Sequence, residues 1–166
     1  KYMIQEICVI DDSGADLIVD IRKAFMEKNE KINLPLKTTS QLEEVLDTIP
    51  NLIIINEDKL DITIYEMVRN IRNDDNNAIT PIIVVSSNSS KTHAVDVMKE
   101  MVQYYIRKPF EKEYAYYLIK NFLELLQVNR RISPLTGLPG NVQIQAEIKK
   151  RIFKREKFRN AIFRFR

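Results

Sequence analysis

Asp11 and Asp12 stand side by side behind an apolar run. Two adjacent carboxylates are a hard-cation site in waiting, because Mg2+ prefers oxygen ligands and keeps several of its waters. Ser86 and Ser87 offer hydroxyls and Lys108 an ammonium. A hydroxyl donates to a phosphoryl oxygen, and a lysine meets it as a point charge. A fourth segment, Asn56-Glu57-Asp58, adds an amide and two acids. These groups make one site only if the fold delivers four distant stretches to one place.

Each stretch closes a short apolar run. Residues 4–10 read as a strand ending in the loop 11–14, and Leu17, Ile18, Ile21, Ala24 and Phe25 then recur at helical spacing over 15–29. Residues 32–38 predict a weaker strand, placed at a sheet edge by Pro35. Thr39 and Ser40 cap a helix carrying Leu42, Val45, Leu46 and Ile49, which Pro50 stops. Leu52-Ile53-Ile54-Ile55 has no polar alternation, as expected of a strand covered on both faces. A helix with Ile64, Met67, Val68 and Ile71 follows, then a polar loop over 73–77 and a second buried strand over 81–85. A polar run over 86–90 leads to a helix with Ala94, Val97, Met98 and Met101. Tyr104-Tyr105-Ile106 is a last strand, and a long helix runs from 111 to about 132.

Five strands alternating with five helices predict an α/β, doubly wound (βα)5 architecture: a five-stranded parallel sheet with helices on both faces and right-handed crossovers. A helical extension follows it at the C-terminal end. Ligands in such sheets sit beyond the carboxyl ends of the strands. Asp11, Asp12, residues 56–58, Ser86, Ser87 and Lys108 are all delivered there.

The constellation resembles the receiver domain of two-component response regulators, over about residues 3–129. The likeness rests on Val9-Ile10-Asp11-Asp12-Ser13, on residues 50–56, on Pro81-Ile82-Ile83-Val84-Val85-Ser86-Ser87 and on Tyr105-Ile106-Arg107-Lys108-Pro109-Phe110. It implies a flavodoxin-like fold. It also implies that Asp11 and Asp12 are the acidic metal pair, Ser86 the hydroxyl switch on the phosphoryl group and Lys108 the family's lysine. Tyr105 would be the aromatic whose rotamer reports the switch, and Pro109 the proline typically preceded by a cis bond. A sensor histidine kinase would be the upstream partner.

One position departs from the family. Its nucleophile is an aspartate, and this chain has Asn56. A carboxylate attacks phosphorus because it is anionic, and a neutral amide oxygen is far weaker. Asn56 also removes a charge from the metal pair, so Mg2+ binding is expected to be weakened. Leu60, Ile64 and Met101-Val102 replace the family's usual proline, glycine and Gly-Ala. Asp58 lies two residues on, the same side as Asn56 if the strand continued, and enters as a substitute acid lining the pocket. The expectation is a receiver that does not take phosphate by the usual route. Two alternatives stay open: a vestigial pocket on a domain that only dimerises, and a conventional response regulator using Asp58 as acceptor.

The chain has 166 residues and a net charge of +3, with 45% hydrophobic and 30% charged residues, which excludes a disordered or fibrous chain. Its single cysteine, Cys8, excludes an internal disulfide framework. No apolar run reaches the length of a membrane helix and no secretory signal is visible, so a cytoplasmic protein is the default. The chain opens on Lys1 rather than methionine, which fits a trimmed piece. Charge is unevenly spread: residues 130–166 hold eleven Lys and Arg against Glu147 and Glu156, a surplus of +9 that leaves −6 elsewhere. That divides the chain into a unit over 1–129 and a basic segment over 130–166.

In the basic segment Pro134-Leu135-Thr136-Gly137-Leu138-Pro139 precedes an amphipathic stretch with Val142, Ile144, Ile148 and Ile152. This resembles the opening of GGDEF domains, the diguanylate cyclase family that makes cyclic di-GMP. Ser133 stands where that opening has aspartate, and Gly140 intervenes before Asn141. The family's signature loop and nucleotide site lie beyond these residues, so the 166 residues are not expected to act as an enzyme alone. The resemblance implies a receiver regulating a cyclic di-GMP output. Such proteins typically dimerise through the last helix, where Tyr114, Leu118, Phe122, Leu125 and Ile132 form a stripe.

The other candidates read as scaffold. Cys8 is expected in the core, His93 on a solvated helix face, and most tyrosines at 104, 105, 114, 116 and 117 in the packing of last strand on last helix. The basic segment could meet phosphates, but no recognition-helix pattern accompanies it, so nucleic acid is the less favoured partner and DNA binding the remaining alternative.

Overall fold

A computed structural model describes residues 6–132, and side chains through Gln127. The readings for 1–5 and 133–166, including the Pro134–Pro139 turn and the amphipathic stretch after it, lie outside the described residues.

The strands are β1 (Ile7–Ile10), β2 (Leu36–Lys37), β3 (Leu52–Asn56), β4 (Ile82–Ser86) and β5 (Tyr104–Arg107). The α-helices are α1 (Asp16–Met26), α2 (Leu42–Thr48), α3 (Ile64–Asn73), α4 (Lys91–Met98) and α5 (Lys112–Ile132). All pairings are parallel, in the order β2-β1-β3-β4-β5. This is the doubly wound five-stranded architecture expected from the sequence.

Strand side chains alternate between two cores. Ile7, Val9, Leu52, Ile54, Ile83 and Val85 face one side, against Leu17, Ile18, Ile21 and Phe25 of α1 and Ile119 and Phe122 of α5. Cys8, Ile10, Ile53, Ile55, Ile82 and Val84 face the other, against Val45, Met67, Val68, Ile71 and Val97. β3 and β4 are buried along their whole length, which is why they carry no polar alternation. Cys8 lies in the core and burial pushes its thiol pKa up, the behaviour of an inert packing residue.

Local differences from the sequence reading have local causes. β2 is two residues long rather than seven, because Pro35 has no N–H for the ladder, although its carbonyl still accepts from Val9 at 3.0 Å. A 3-10 turn, Thr39–Gln41, precedes α2, and a capping box between Thr38 and Gln41 opens it. Met101 follows α4 rather than ending it, in the left-handed region at φ +68°. That is the conformation glycine adopts most cheaply.

The stripe expected on α5 is core only in part: Phe122 is buried and Leu118 packs against the core. Ala115, Tyr116, Ile119 and Phe122 are buried, whereas Tyr114 and Leu125 are 59% and 52% exposed. Tyr104 does pack its ring on Phe122, with centroids 5.3 Å apart, and Tyr116 packs on Phe25 at 4.8 Å. Tyr114 and Tyr117 are exposed.

Candidate functional site

The carboxyl ends of β1, β3, β4 and β5 bring together the residues that the sequence singled out. Asn56 is the last residue of β3 and is buried beside Asp11, which directly follows β1. Its amide is satisfied on both sides. Nδ2 donates to Asp11 Oδ2 at 3.0 Å and to Ser13 Oγ at 3.3 Å. Oδ1 accepts from Lys108 Nζ at 2.9 Å and from the Asp58 amide at 3.1 Å. Lys108 follows β5 at a cis Lys108–Pro109 bond.

The two adjacent acids point different ways. Asp11 Oδ1 takes the Ser13 amide at 2.9 Å and its hydroxyl at 2.6 Å, while Oδ2 takes Asn56. Asp12 turns toward the β2 corner: Oδ1 accepts the Thr39 amide at 2.7 Å, and Oδ2 accepts the Thr39 hydroxyl at 2.5 Å and the Asp61 amide at 2.9 Å. Partial burial pushes the Asp12 pKa up, but the Thr39 and Asp61 hydrogen bonds outweigh it and the carboxyl is lowered.

This arrangement offers a divalent cation an impoverished ligand set. Every oxygen of the acidic pair already accepts a hydrogen bond. The amide protons of Asn56 point at Asp11, where an acceptor carboxylate and a metal would complete a hard-oxygen cage. No group of three or more acidic, histidine or cysteine side chains gathers to hold a metal among the described residues.

Asp58 is where the sequence reading gains most. The chain turns back after β3, with Leu60 N–H on the Glu57 carbonyl at 3.2 Å and Lys59 at φ +58°. Asp58 Oδ2 accepts from Lys108 Nζ at 3.0 Å and from Ser87 Oγ at 2.5 Å, and Oδ1 accepts the Ser87 amide at 3.0 Å. Partial burial raises its pKa, but the Ser87 bonds and then Lys108 prevail, so the carboxyl is held below its ordinary value.

The hydroxyl that meets the acid is therefore Ser87. Ser86, the expected switch, is buried, and its Oγ accepts the Asn88 amide at 3.0 Å. Tyr105 is half-buried, with its hydroxyl donating to the Asn88 carbonyl at 3.4 Å; burial pushes its pKa up.

His93 corrects the sequence reading of a solvated helix residue. Its side chain is only 18% exposed. Nε2 lies 2.6 Å from Glu57 Oε2, and Nδ1 lies 3.2 Å from the Tyr65 hydroxyl. The Ser90 cap on its amide places it at the start of α4, facing the loop after β3. An acid one residue past the strand end could have hinted at this pairing. The approach of α3 to α4 that completes it is a tertiary fact.

No family model matches the chain, and no curated protein matches it. Solved structures do resemble it. A CheY-like response regulator receiver domain from Methanospirillum hungatei JF-1 is 16% identical, with TM-score 0.62, over 76% of this chain and 99% of that one. The chemotaxis response regulator CheY4 of Vibrio cholerae is 15% identical, with TM-score 0.59, over 72% and 98%. NtrX from Brucella abortus, solved with ATP, is 18% identical, with TM-score 0.59, over 78% of this chain, but this chain spans only 29% of its length. The chain has the flavodoxin-like receiver fold, the fold that the sequence reading expected. No helix among the described residues is long and apolar enough to cross a membrane.

Proposed function

We propose that the chain is the receiver module of a two-component response regulator that signals without phosphorylation of an aspartate at the acceptor position. One observation carries this reading: an amide occupies that position, with Nδ2 committed to Asp11 and Oδ1 to Lys108. The neutral oxygen is a poor nucleophile, and its lone pairs face an ammonium and a backbone N–H. The same geometry supports weak Mg2+ binding at Asp11 and Asp12.

The module works from the cytoplasm on a C-terminal GGDEF-type output, a reading supported by the Pro134–Pro139 sequence alone. A sensor histidine kinase is its upstream partner by family likeness, and dimerisation runs through α5, whose exposed Tyr114 and Leu125 support a contact there. The coding sequence past residue 166 tests the output directly, since a GGDEF loop is either encoded or not.

A second reading is favoured by the Asp58–Lys108 pair: a conventional regulator that accepts phosphate on Asp58. Incubation with acetyl phosphate and Mg2+, followed by intact-mass measurement, separates the two. No phosphoryl increment is expected. An increment abolished by Asp58→Ala would replace the first reading with the second.

A further inference from the structure

We propose that the Asp58 carboxylate is the resident anion of the cradle formed by Lys108 and Ser87, taking the contacts an incoming phosphoryl group would need and closing the pocket to free anions. The inference deepens the phosphorylation-independent reading and rests on it.

Three donors converge on this one carboxylate: an ammonium, a hydroxyl and a backbone N–H. Such a set suits a tetrahedral oxyanion as well as a carboxylate, since each donor aims at a separate oxygen lone pair. The cradle is assembled from two strand ends, with Lys108 after β5 and Ser87 after β4. Its occupant comes from a third, by the turn through Lys59.

Charge makes the same point. With Asn56 neutral and Asp11 and Asp12 engaged by amides and hydroxyls, Asp58 is the anion bonded to Lys108. The pair is about one-quarter exposed on each side, Lys108 at 26% and Asp58 at 29%, so its contacts are shielded but reachable. The negative charge missing at residue 56 reappears two residues later, on the Lys108 side of the pocket. An occupant tethered two residues from the strand end competes at high effective concentration with any diffusing anion.

The test uses the full chain, inorganic phosphate as probe and amide NMR as readout, with chloride at matched ionic strength as control. In the unsubstituted protein the Ser87 amide resonance should not respond to phosphate beyond the chloride control. In Asp58→Ala it should first move, as its acceptor is lost. It should then titrate saturably, with an apparent affinity at least about tenfold tighter than in the unsubstituted protein. Asp58→Asn keeps the shape without the charge and should also open the site. If Asp58→Ala does not fold, the Asn variant decides alone. The proposal is overturned if phosphate shifts Ser87 equally with and without Asp58, or if removing Asp58 leaves the Ser87 amide unmoved. This noncovalent readout is independent of the acetyl phosphate result, so either claim can fail without the other.

Discussion

Two cations sit at opposite ends of the sheet and are held in contrasting ways. At the carboxyl ends, Lys108 meets a carboxylate and an amide oxygen. At the amino ends, Arg72 at the tail of α3 gathers neutral oxygens. Nη1 donates to the carbonyls of Asn77 at 3.2 Å and Thr80 at 2.7 Å, and Nη2 to the Met101 carbonyl at 2.6 Å and Gln103 Oε1 at 3.3 Å. Burial lowers the Arg72 pKa to about 10. A guanidinium spread over loop oxygens ties two connections, α3–β4 and α4–β5, to the end of its own helix. An ammonium facing one acid on a turn can be released by a single change of charge. The guanidinium is built into the scaffold, whereas the ammonium pair is held by one charge on one residue.

That contrast is sharpened or broken by a graded set of substitutions. Arg72→Ala should be the most damaging, stranding several loop carbonyls and lowering unfolding free energy by about 3 kcal/mol in urea titration. Arg72→Lys should recover little, because an ammonium cannot span the same fork. A loss below about 0.5 kcal/mol would erase the distinction between the two ends.

Asn56→Asp comes next. It places a carboxylate 3.0 Å from Asp11 Oδ2, where an N–H now donates, and two carboxylates that close do not both ionise comfortably. A loss of about 2 kcal/mol in metal-free buffer is expected, with recovery on adding Mg2+, both read from urea midpoints. Equal stability with and without the cation would show that the acidic corner is not built around its amide.

Met101→Gly should work the other way. At φ +68° a methionine carries left-handed strain, and its side chain is 46% exposed, so little packing is lost. Stabilisation of about 0.5–1 kcal/mol by thermal or urea unfolding is expected, while the carbonyl to Arg72 is kept.

The smallest effect is in acid. Because the Asp58 carboxyl is lowered in the folded state, its contribution is present above the ordinary carboxylate pKa. It is lost as pH falls through the folded value, below about pH 4. The Ser87 amide shift should follow that limb, and Asp58→Asn should flatten it.

The sheet was legible because β3 and β4 are unbroken β-branched runs, a pattern that survives any uncertainty about neighbours. The site positions were legible because they close those runs. Finer choices were not, since each depends on a partner far along the chain. Ser86 and Ser87 are adjacent, and only the strand's end decides which hydroxyl turns toward Asp58. On α5 periodicity gives a stripe but not how much of it the sheet covers, so Phe122 is core while Tyr114 and Leu125 are exposed. Arg72 gave no signal, because its carbonyl partners carry no side-chain signature.

The Glu57–His93 contact joins the residue immediately after Asn56 to the first turn of α4. Helix and strand end are thereby geared together: a displacement of one either carries the other along or costs a largely covered 2.6 Å bond. A binding protein that grips α4 from outside would thus have a handle on the pocket floor through a single imidazole.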